Sequence, residues 1–189
     1  MSQRNSLDLL SRKEGMCLLE QSMGFVWQAA LRAVAVLGVA DRLVEGKKSV
    51  KQLAKELNVD AEYLHRIMRL VSSRGVFNEL SEAEYSLSHS AQFLCSEHEF
   101  SLRAAVLMLT DQTFWQPAAK MDEILQGKPV FNELFGKPFY DYWQHDDRGS
   151  ESNVFHAGMA SMSSVEQIAI RSLKTLSLPI SPVGWVTYC

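Results

Sequence analysis

The sequence predicts a mainly α-helical fold that contains one small β-hairpin. Three observations lead to this prediction. Apolar residues recur at helical spacing over most of the chain from residue 7 to residue 172. Ser49 and Asp60, which are both good N-cap residues, each precede a short segment with that spacing. Apolar and polar residues alternate in the segment at 76–87, and a polar turn interrupts it, as expected of a hairpin.

The first two helices are predicted at 7–23 and at about 23–36. The second of them leaves little polar surface, since it contains Phe25, Val26, Ala29, Ala30, Ala33 and Val34. A helix that is apolar nearly all round is buried in a large core or against a partner. In a chain of 189 residues, a partner is a serious alternative to a core.

A short helical piece at 37–44 leads into the first capped helix. Ser49 and Gln52 have the spacing of a capping box in front of a helix over 50–57. Asn58 can end that helix in the left-handed conformation. The capping pattern therefore sets both ends of this helix.

The second capped helix begins after Asp60 and is predicted over 61–73. Strands are then predicted at 76–80 and 85–87, on either side of a polar turn at 81–84. The order helix, turn, helix and β-hairpin is that of a winged helix-turn-helix.

The remaining segments are again predicted to be helical. They are a capped helix at 88–94, helices at 101–110 and 114–125, short aromatic pieces at 131–135 and 140–143, and a last helix at 151–172. The tail after Leu173 contains Pro179 and Pro182 and shows no periodicity. The predicted fold class is therefore mainly α, with a winged helix-turn-helix and additional helices on both sides of it.

Composition excludes several classes of protein. The chain is 47% hydrophobic and 22% charged with a net charge of −3, which are globular values without the basic excess of a protein that coats nucleic acid. Cys17, Cys95 and Cys189 are odd in number and far apart, which predicts reduced thiols and no disulfide framework or metal site. The longest apolar stretch, 29–40, is too short to span a bilayer. We therefore expect a cytoplasmic protein without a membrane anchor.

The winged arrangement also suggests a DNA-binding regulator. Residues 49–90 contain five Lys or Arg against six Asp or Glu, and the supposed recognition helix opens with Asp60 and Glu62. The wing tip contains Glu82 and Glu84, whose charge repels phosphate. The better interpretation of these charges is a solvated structural face. Because of the arginines of 66–74, a DNA-binding regulator remains the alternative.

An ordered series of motifs resembles the small-molecule O-methyltransferases that depend on S-adenosylmethionine, of the caffeate, acetylserotonin and hydroxyneurosporene type. The segments are LGVADRL at 37–43, SVKQLA at 49–54, LHRIMRLV at 64–71, GVFNE at 75–79, YSLS at 85–88, Trp115, LQGKPVF at 125–131 and NVFHAGM at 153–159. Each motif is weak evidence alone, whereas the order of the motifs over residues 25–165, which is the same as in that family, is specific to it.

The resemblance implies an N-terminal dimerisation domain and an intertwined homodimer, which would explain the apolar helix at 23–36. It also implies that Phe155 and Met159 line the pocket of the acceptor substrate and that Trp115 lies near it. Met162 is added because it follows Met159 by about one turn. Ordinary core packing is the alternative for all four residues.

The family's catalytic part is expected to be missing. Its glycine-rich turn lets the backbone approach the cofactor, but this chain contains no G-x-G. There is also no Asp or Glu after Glu166 to bind ribose hydroxyls. We expect a winged-helix dimerisation domain at 1–95, a helical substrate-cap region at 96–172, and an irregular tail at 173–189 where the methyltransferase domain would begin. A truncated or frame-shifted reading frame is the hypothesis.

The sequence thus predicts the dimerisation and substrate-cap portion of an O-methyltransferase for a small hydroxylated acceptor, which the resemblance implies is aromatic. S-adenosylmethionine is implied for the full-length family, while this chain by itself is expected to bind no cofactor and to be inactive. A ligand-sensing or DNA-binding winged-helix regulator is the alternative. A further hypothesis is an inactive remnant that associates with a full-length homologue.

Overall fold

The computed structural model describes residues 2–81, 83–144 and 154–164. The elements are α1 (Ser2–Ser22), α2 (Gly24–Leu37), α3 (Val39–Arg42), β1 (Lys48–Ser49), α4 (Val50–Leu57), α5 (Ala61–Ser72), β2 (Phe77–Ser81), β3 (Glu84–Leu87), α6 (His89–Gln92), α7 (Arg103–Leu109), α8 (Gln112–Ala118), α9 (Met121–Leu125), α10 (Val130–Phe135), α11 (Phe139–Gln144) and a helix at 154–164, called α12 here. The prediction of a mainly helical fold with a small hairpin is confirmed.

The strands form one antiparallel sheet in the order β1-β3-β2. Lys48 lies opposite Tyr85, and Phe77 lies opposite Leu87. Strand β1 is not predicted from the sequence, because two residues cannot show alternation and the strand exists only through its pairing with β3. The sheet packs beside α4 and α5 and closes one side of the core.

Three predictions about helices are corrected. The first helix begins at Ser2 rather than residue 7. The helix predicted over 114–125 is two helices, α8 and α9, and between them the chain tightens into a Lys120 N–H to Pro117 carbonyl bond of 3.0 Å. The two short aromatic pieces are the helices α10 and α11.

Other predictions extend beyond the described residues. Only 154–164 of the predicted helix at 151–172 is described, and it is helical. The tail at 173–189, with Cys189, lies outside the described residues, as does Glu82. The domain boundaries therefore remain predictions.

The predicted helix caps are confirmed. The Ser49 side chain accepts from the Gln52 N–H, and the Gln52 side chain accepts from the Ser49 N–H at 2.9 Å. Asn58 ends α4 with φ of 53°. Asp60 Oδ1 accepts from the N–H groups of Glu62 and Tyr63 at 2.8 and 3.0 Å. Each of these caps typically contributes about 1 kcal/mol to stability.

The main core lies between α2, α3, α4, α5 and the sheet. Its largest fully buried side chains are Tyr85, Phe77, Leu43, Leu53, Met68, Val34, Val39 and Val71. Burying one such aliphatic or aromatic side chain is worth roughly 1.5–3 kcal/mol. This core holds α2 by one face only, which leaves other positions of that helix exposed.

Tyr85 makes stability depend on pH in the alkaline range. Its ring is fully buried and its hydroxyl donates to Glu79 Oε1 at 3.3 Å. Burial, and then the charge of Glu79, raise the Tyr85 pKa above its ordinary value of 10.0. The unfolded chain therefore releases this proton at lower pH than the folded chain does. The contribution of Tyr85 to stability is complete below pH 10 and is lost as the pH rises above that value.

We expect the free energy of unfolding of the wild type to fall above pH 10 with a slope approaching ~1.4 kcal/mol per pH unit from this residue. The Tyr85→Phe variant lacks the hydroxyl and should lose that part of the slope. Urea denaturation of both proteins between about pH 8 and pH 11 measures the difference. Identical slopes would show that Tyr85 ionises normally in the folded chain.

Candidate functional site

Seven aromatic side chains from four helices are in ring contact with one another, and we call these seven the aromatic cluster. The exposed Tyr140 ring also contacts Phe139 at the edge of this cluster. Its members are Phe114, Phe131, Phe135, Phe139, Tyr142, Trp143 and Phe155. Neighbouring ring centroids lie 4.7–5.8 Å apart, mostly edge to face, which is the favourable geometry for aromatic pairs.

Trp143 and Phe155 form the most nearly parallel pair of the cluster. Their centroids are 5.1 Å apart and their planes differ by 17°. Trp143 is only 4% exposed, and its buried Nε1–H has no hydrogen-bond partner among residues 2–81, 83–144 and 154–164. Phe155 also contacts Phe139 at 5.7 Å. The cluster is therefore a closely packed aromatic group that, among the described residues, contains one buried donor without an acceptor.

Close packing on α7 fixes the position of α12. Gly158 is buried there, and a Cβ at this position would lie 2.5 Å from Met108 Cβ and 3.1 Å from the Ala104 carbonyl oxygen. The Ser161 hydroxyl donates to the Ser101 carbonyl. Because the two helices approach so closely, the register of α12 places Phe155 on the cluster.

The four residues predicted from the resemblance are found in different surroundings. Phe155 lies in the cluster, and Met159 and Met162 follow it on α12, with Met159 45% exposed and Met162 half-buried. Trp115 is half-buried on α8, but the ring contact from α8 to the cluster is made by its neighbour Phe114, 5.7 Å from Phe139.

The predictions from the sequence assign no functional role to the aromatic residues of 131–143. They recur at 131, 135, 139 and 142, a spacing of roughly one helical turn that could have identified them. Gly136 and Pro138 within this stretch concealed the periodicity. The cluster itself depends on tertiary packing of α8, α10, α11 and α12.

A second feature is apolar surface on the first two helices. Met16, Leu18, Leu19, Met23 and Phe25 are each 60–68% exposed. A groove of about 580 Å³ runs along α1, α2 and α5 and is lined by Met16, Leu19, Met23, Val26, Trp27 and Leu70. We call these exposed side chains and the groove the α1–α2 surface. Exposed apolar side chains that lie side by side in this way mark contacts with other proteins.

Charged groups border the α1–α2 surface at one end. Arg74 lies over the Trp27 ring, 5.2 Å from its centroid, and pairs with Glu20 at 2.9 Å. These contacts join α1 to the core through α2 and α5. The surface is thus apolar in the groove and polar at this edge, as in protein interfaces.

The described cysteines are free and show no sign of reactive chemistry. Cys95 is buried, and burial followed by the charge of Asp41 raises the pKa of its thiol. Cys17 is half-buried beside the groove. Among the described residues, no three His, Cys, Asp or Glu side chains converge as a metal site. No helix in the described part of the chain is long and apolar enough to cross a membrane.

The described residues do not fit S-adenosylmethionine, the cofactor that the resemblance implies. In residues 2–81, 83–144 and 154–164, the strands form a single antiparallel sheet, with no parallel strand leading through a glycine-rich turn into a helix. That turn is what brings the backbone close to a nucleotide cofactor in dinucleotide-type folds.

Comparisons with known proteins identify a family for part of the chain. Residues 19–97 match the O-methyltransferase dimerisation domain. The chain is 26% identical over 142 residues to phenazine O-methyltransferase PhzM of Lysobacter antibioticus, covering 75% of this chain and 42% of that protein. It is 33% identical over 119 residues to a phenazine-1-carboxylate N-methyltransferase of Pseudomonas aeruginosa, covering 61% and 35%.

The structural comparison agrees. The crystal structure of CalO1, a methyltransferase in calicheamicin biosynthesis in its SAH-bound form, superposes with a TM-score of 0.72 and 33% identity. The match covers 82% of this chain and 46% of CalO1. The chain thus spans less than half the length of these relatives. Sequence match, ordered motifs and fold together show that residues 19–97 of this chain are an O-methyltransferase dimerisation domain.

Proposed function

We propose that this chain is the dimerisation and substrate-cap portion of a methyltransferase for a small hydroxylated aromatic acceptor. The observation that carries the proposal is the aromatic cluster, which lies on helices that follow the matched dimerisation domain directly. Within that domain, we infer that α4, α5 and the β2–β3 hairpin form a winged helix.

The α1–α2 surface supports pairing with a second copy. Its exposed Leu, Met and Phe side chains lie within or next to the matched segment 19–97. Covering such side chains releases roughly 25 cal/mol for each Å² of apolar area removed from water. A homodimer is the occupant that the family match supports, and a full-length homologue with the same surface could replace one copy.

The aromatic cluster supports an aromatic acceptor. A flat ring gains most from contact with other rings at edge-to-face or offset geometry, and the cluster contains Phe155, four residues before Met159 on α12. Methionine adapts its shape to an irregular ligand, and its sulfur makes favourable contacts with rings. Trp115, Phe155, Met159 and Met162 are therefore proposed to line the acceptor pocket.

Binding to nucleic acid is not proposed. The Asp60 carboxylate accepts from the first N–H groups of α5, at Glu62 and Tyr63, so these donors are not available to phosphate. Arg66 on the same helix lies over the Tyr63 ring at 5.8 Å. Salt-dependent binding to mixed duplex DNA in fluorescence anisotropy would favour the regulator alternative instead.

Methionine methyl NMR tests the proposed acceptor site. The chain has eight methionines, of which Met159 and Met162 lie on α12 while Met16 and Met23 lie on the α1–α2 surface. In a titration with 1-naphthol, we expect the methyl signals of Met159 and Met162 to shift, because ring currents act on nearby methyl groups. Met16 and Met23 serve as internal controls.

S-adenosylmethionine provides the second arm of this experiment. Calorimetric titration of the chain should give no binding heat, since the described residues do not fit the cofactor. Cofactor binding would overturn the assignment of this chain as a cap without a catalytic site. Shifts confined to Met16 and Met23, or no shifts with millimolar naphthol, would overturn the proposed acceptor site.

A further inference from the structure

Two arginines join α2 and α7 in a reciprocal pattern. Arg103, at the start of α7, donates from Nε to the Ala35 carbonyl at 2.7 Å and from Nη2 to the Val36 carbonyl at 3.3 Å. Arg32, on α2, donates from Nη1 to the Leu107 carbonyl at 2.6 Å. Each arginine therefore binds carbonyls at the C-terminal end of the other helix, where unpaired acceptors and the helix dipole favour a cation.

A carboxylate and a hydroxyl hold the Arg103 guanidinium in place. Its Nη1 donates to Asp41 Oδ2 at 3.2 Å and to Ser96 Oγ at 2.6 Å. Ser96 is itself fixed, because its N–H donates to Asp41 Oδ1 at 2.7 Å. The guanidinium thus has partners on three separate segments, and its planar fork suits this geometry better than an ammonium group would.

Arg32 is held at the corner between α7 and α8. Its Nη1 also lies 3.2 Å from Thr110 Oγ1, and its Nη2 lies 3.7 Å from Asp111 Oδ2. Asp111 caps α8 by accepting from the Thr113 N–H at 2.9 Å. Arg32 therefore contacts the end of α7 and the residue that starts α8.

Gly38 allows the Arg103 contacts to form. It ends α2 with φ of 65°, a conformation that favours glycine. A Cβ there would also lie 3.3 Å from Asp41 Oδ2 and 3.4 Å from Arg103 Nη2. The LGVADRL segment at 37–43 therefore supplies both the turn and the carboxylate that Arg103 requires.

The two helices joined by these arginines carry the two proposed functional surfaces. α2 contributes Phe25 and Val26 to the α1–α2 surface. α7 packs through Met108 against Gly158 of α12, the helix that places Phe155 in the aromatic cluster. A continuous series of contacts therefore runs from one surface to the other.

We infer that Arg103 and Arg32 are positioning residues that hold the aromatic cluster in a fixed place relative to the dimer surface. The inference deepens the proposed function and rests on it for the roles of the two surfaces. A second copy that fixes α2 then also fixes α7, α12 and the acceptor side of the pocket. Neither arginine is proposed to touch the acceptor.

Hydrogen exchange of the full chain, followed by mass spectrometry, tests the inference. In Arg103→Met, which keeps an unbranched stem and removes the guanidinium donors, we expect amides of α7 and α12 to exchange at least about tenfold faster. Amides of α4 and α5 should exchange as in the wild type. Arg103→Lys retains the charge without the fork and should give an intermediate increase.

Arg66→Met is the matched control, because Arg66 is an exposed arginine on α5 that stacks on Tyr63. It should leave exchange in α7 and α12 unchanged. Arg32→Met should reproduce the effect of Arg103→Met, and it provides the test if Arg103→Met does not fold.

Two outcomes would overturn the inference: unchanged exchange in α7 and α12, or an equal increase in α4 and α5, which indicates general destabilisation. The proposed function fails separately. A monomeric chain, or one whose methionine methyl signals do not shift with 1-naphthol, would refute that function. Neither result would change the hydrogen exchange expected for α7 and α12.

Discussion

Phe25→Asp is expected to weaken the proposed dimer at least about a hundredfold, because it would place an unpaired carboxylate in the apolar α1–α2 surface. Phe25 is 68% exposed on a single chain and lies among the other apolar side chains of the α1–α2 surface. Burying a charge without a partner costs about 3–5 kcal/mol, and each 1.4 kcal/mol changes a dissociation constant roughly tenfold. Light scattering over a dilution series measures the change in mass.

The control for Phe25→Asp is Leu80→Asp. Leu80 is 53% exposed on β2, outside the α1–α2 surface, so the same charge should leave the dimer intact. Equal weakening by both substitutions would show that added negative charge, and not the α1–α2 surface, controls association. Unchanged mass in Phe25→Asp would place the interface elsewhere on the chain.

Trp143→Ala is expected to lower the free energy of unfolding by about 3–5 kcal/mol. The indole is 4% exposed and stacks on Phe155, so its removal leaves a cavity inside the aromatic cluster. Trp143→Phe should cost much less, since it keeps an aromatic ring there and removes a buried Nε1–H that has no partner in the described part of the chain. Urea denaturation followed by circular dichroism measures both variants.

Trp115→Ala serves as the reference for Trp143→Ala. Trp115 is half-buried on α8, so truncating it should destabilise the chain less than truncating Trp143 does. An equal loss from both alanine variants would contradict the central place of Trp143 in the cluster. If Trp143→Phe costs as much as Trp143→Ala, the indole N–H has a role that the observed contacts do not provide.

Signals contained within a few residues were the most predictable part of this fold. The Ser49 and Gln52 capping box, the left-handed Asn58 and the Asp60 cap all follow from side chains that bond to backbone groups nearby. Such bonds need no tertiary partner, so the sequence is sufficient to predict them. The hairpin at 77–87 was predictable for the same reason, since a short turn joins its strands.

Features that depend on distant residues were not predictable in this way. β1 exists because Lys48 lies opposite Tyr85 in the sheet. Arg103 binds a carbonyl 68 residues away and a carboxylate 62 residues away, and no local pattern marks it as different from other arginines. The resemblance identified the α12 segment but not the Trp143 ring that stacks on Phe155.

The solution mass of the unmodified chain, measured by light scattering across a range of concentrations, tests the proposed dimer most directly. The matched dimerisation domain and the exposed α1–α2 surface predict a particle of twice the 21.3 kDa chain mass at micromolar concentration. A mass of 21.3 kDa at every concentration would contradict the dimer and leave the apolar surface without its proposed partner.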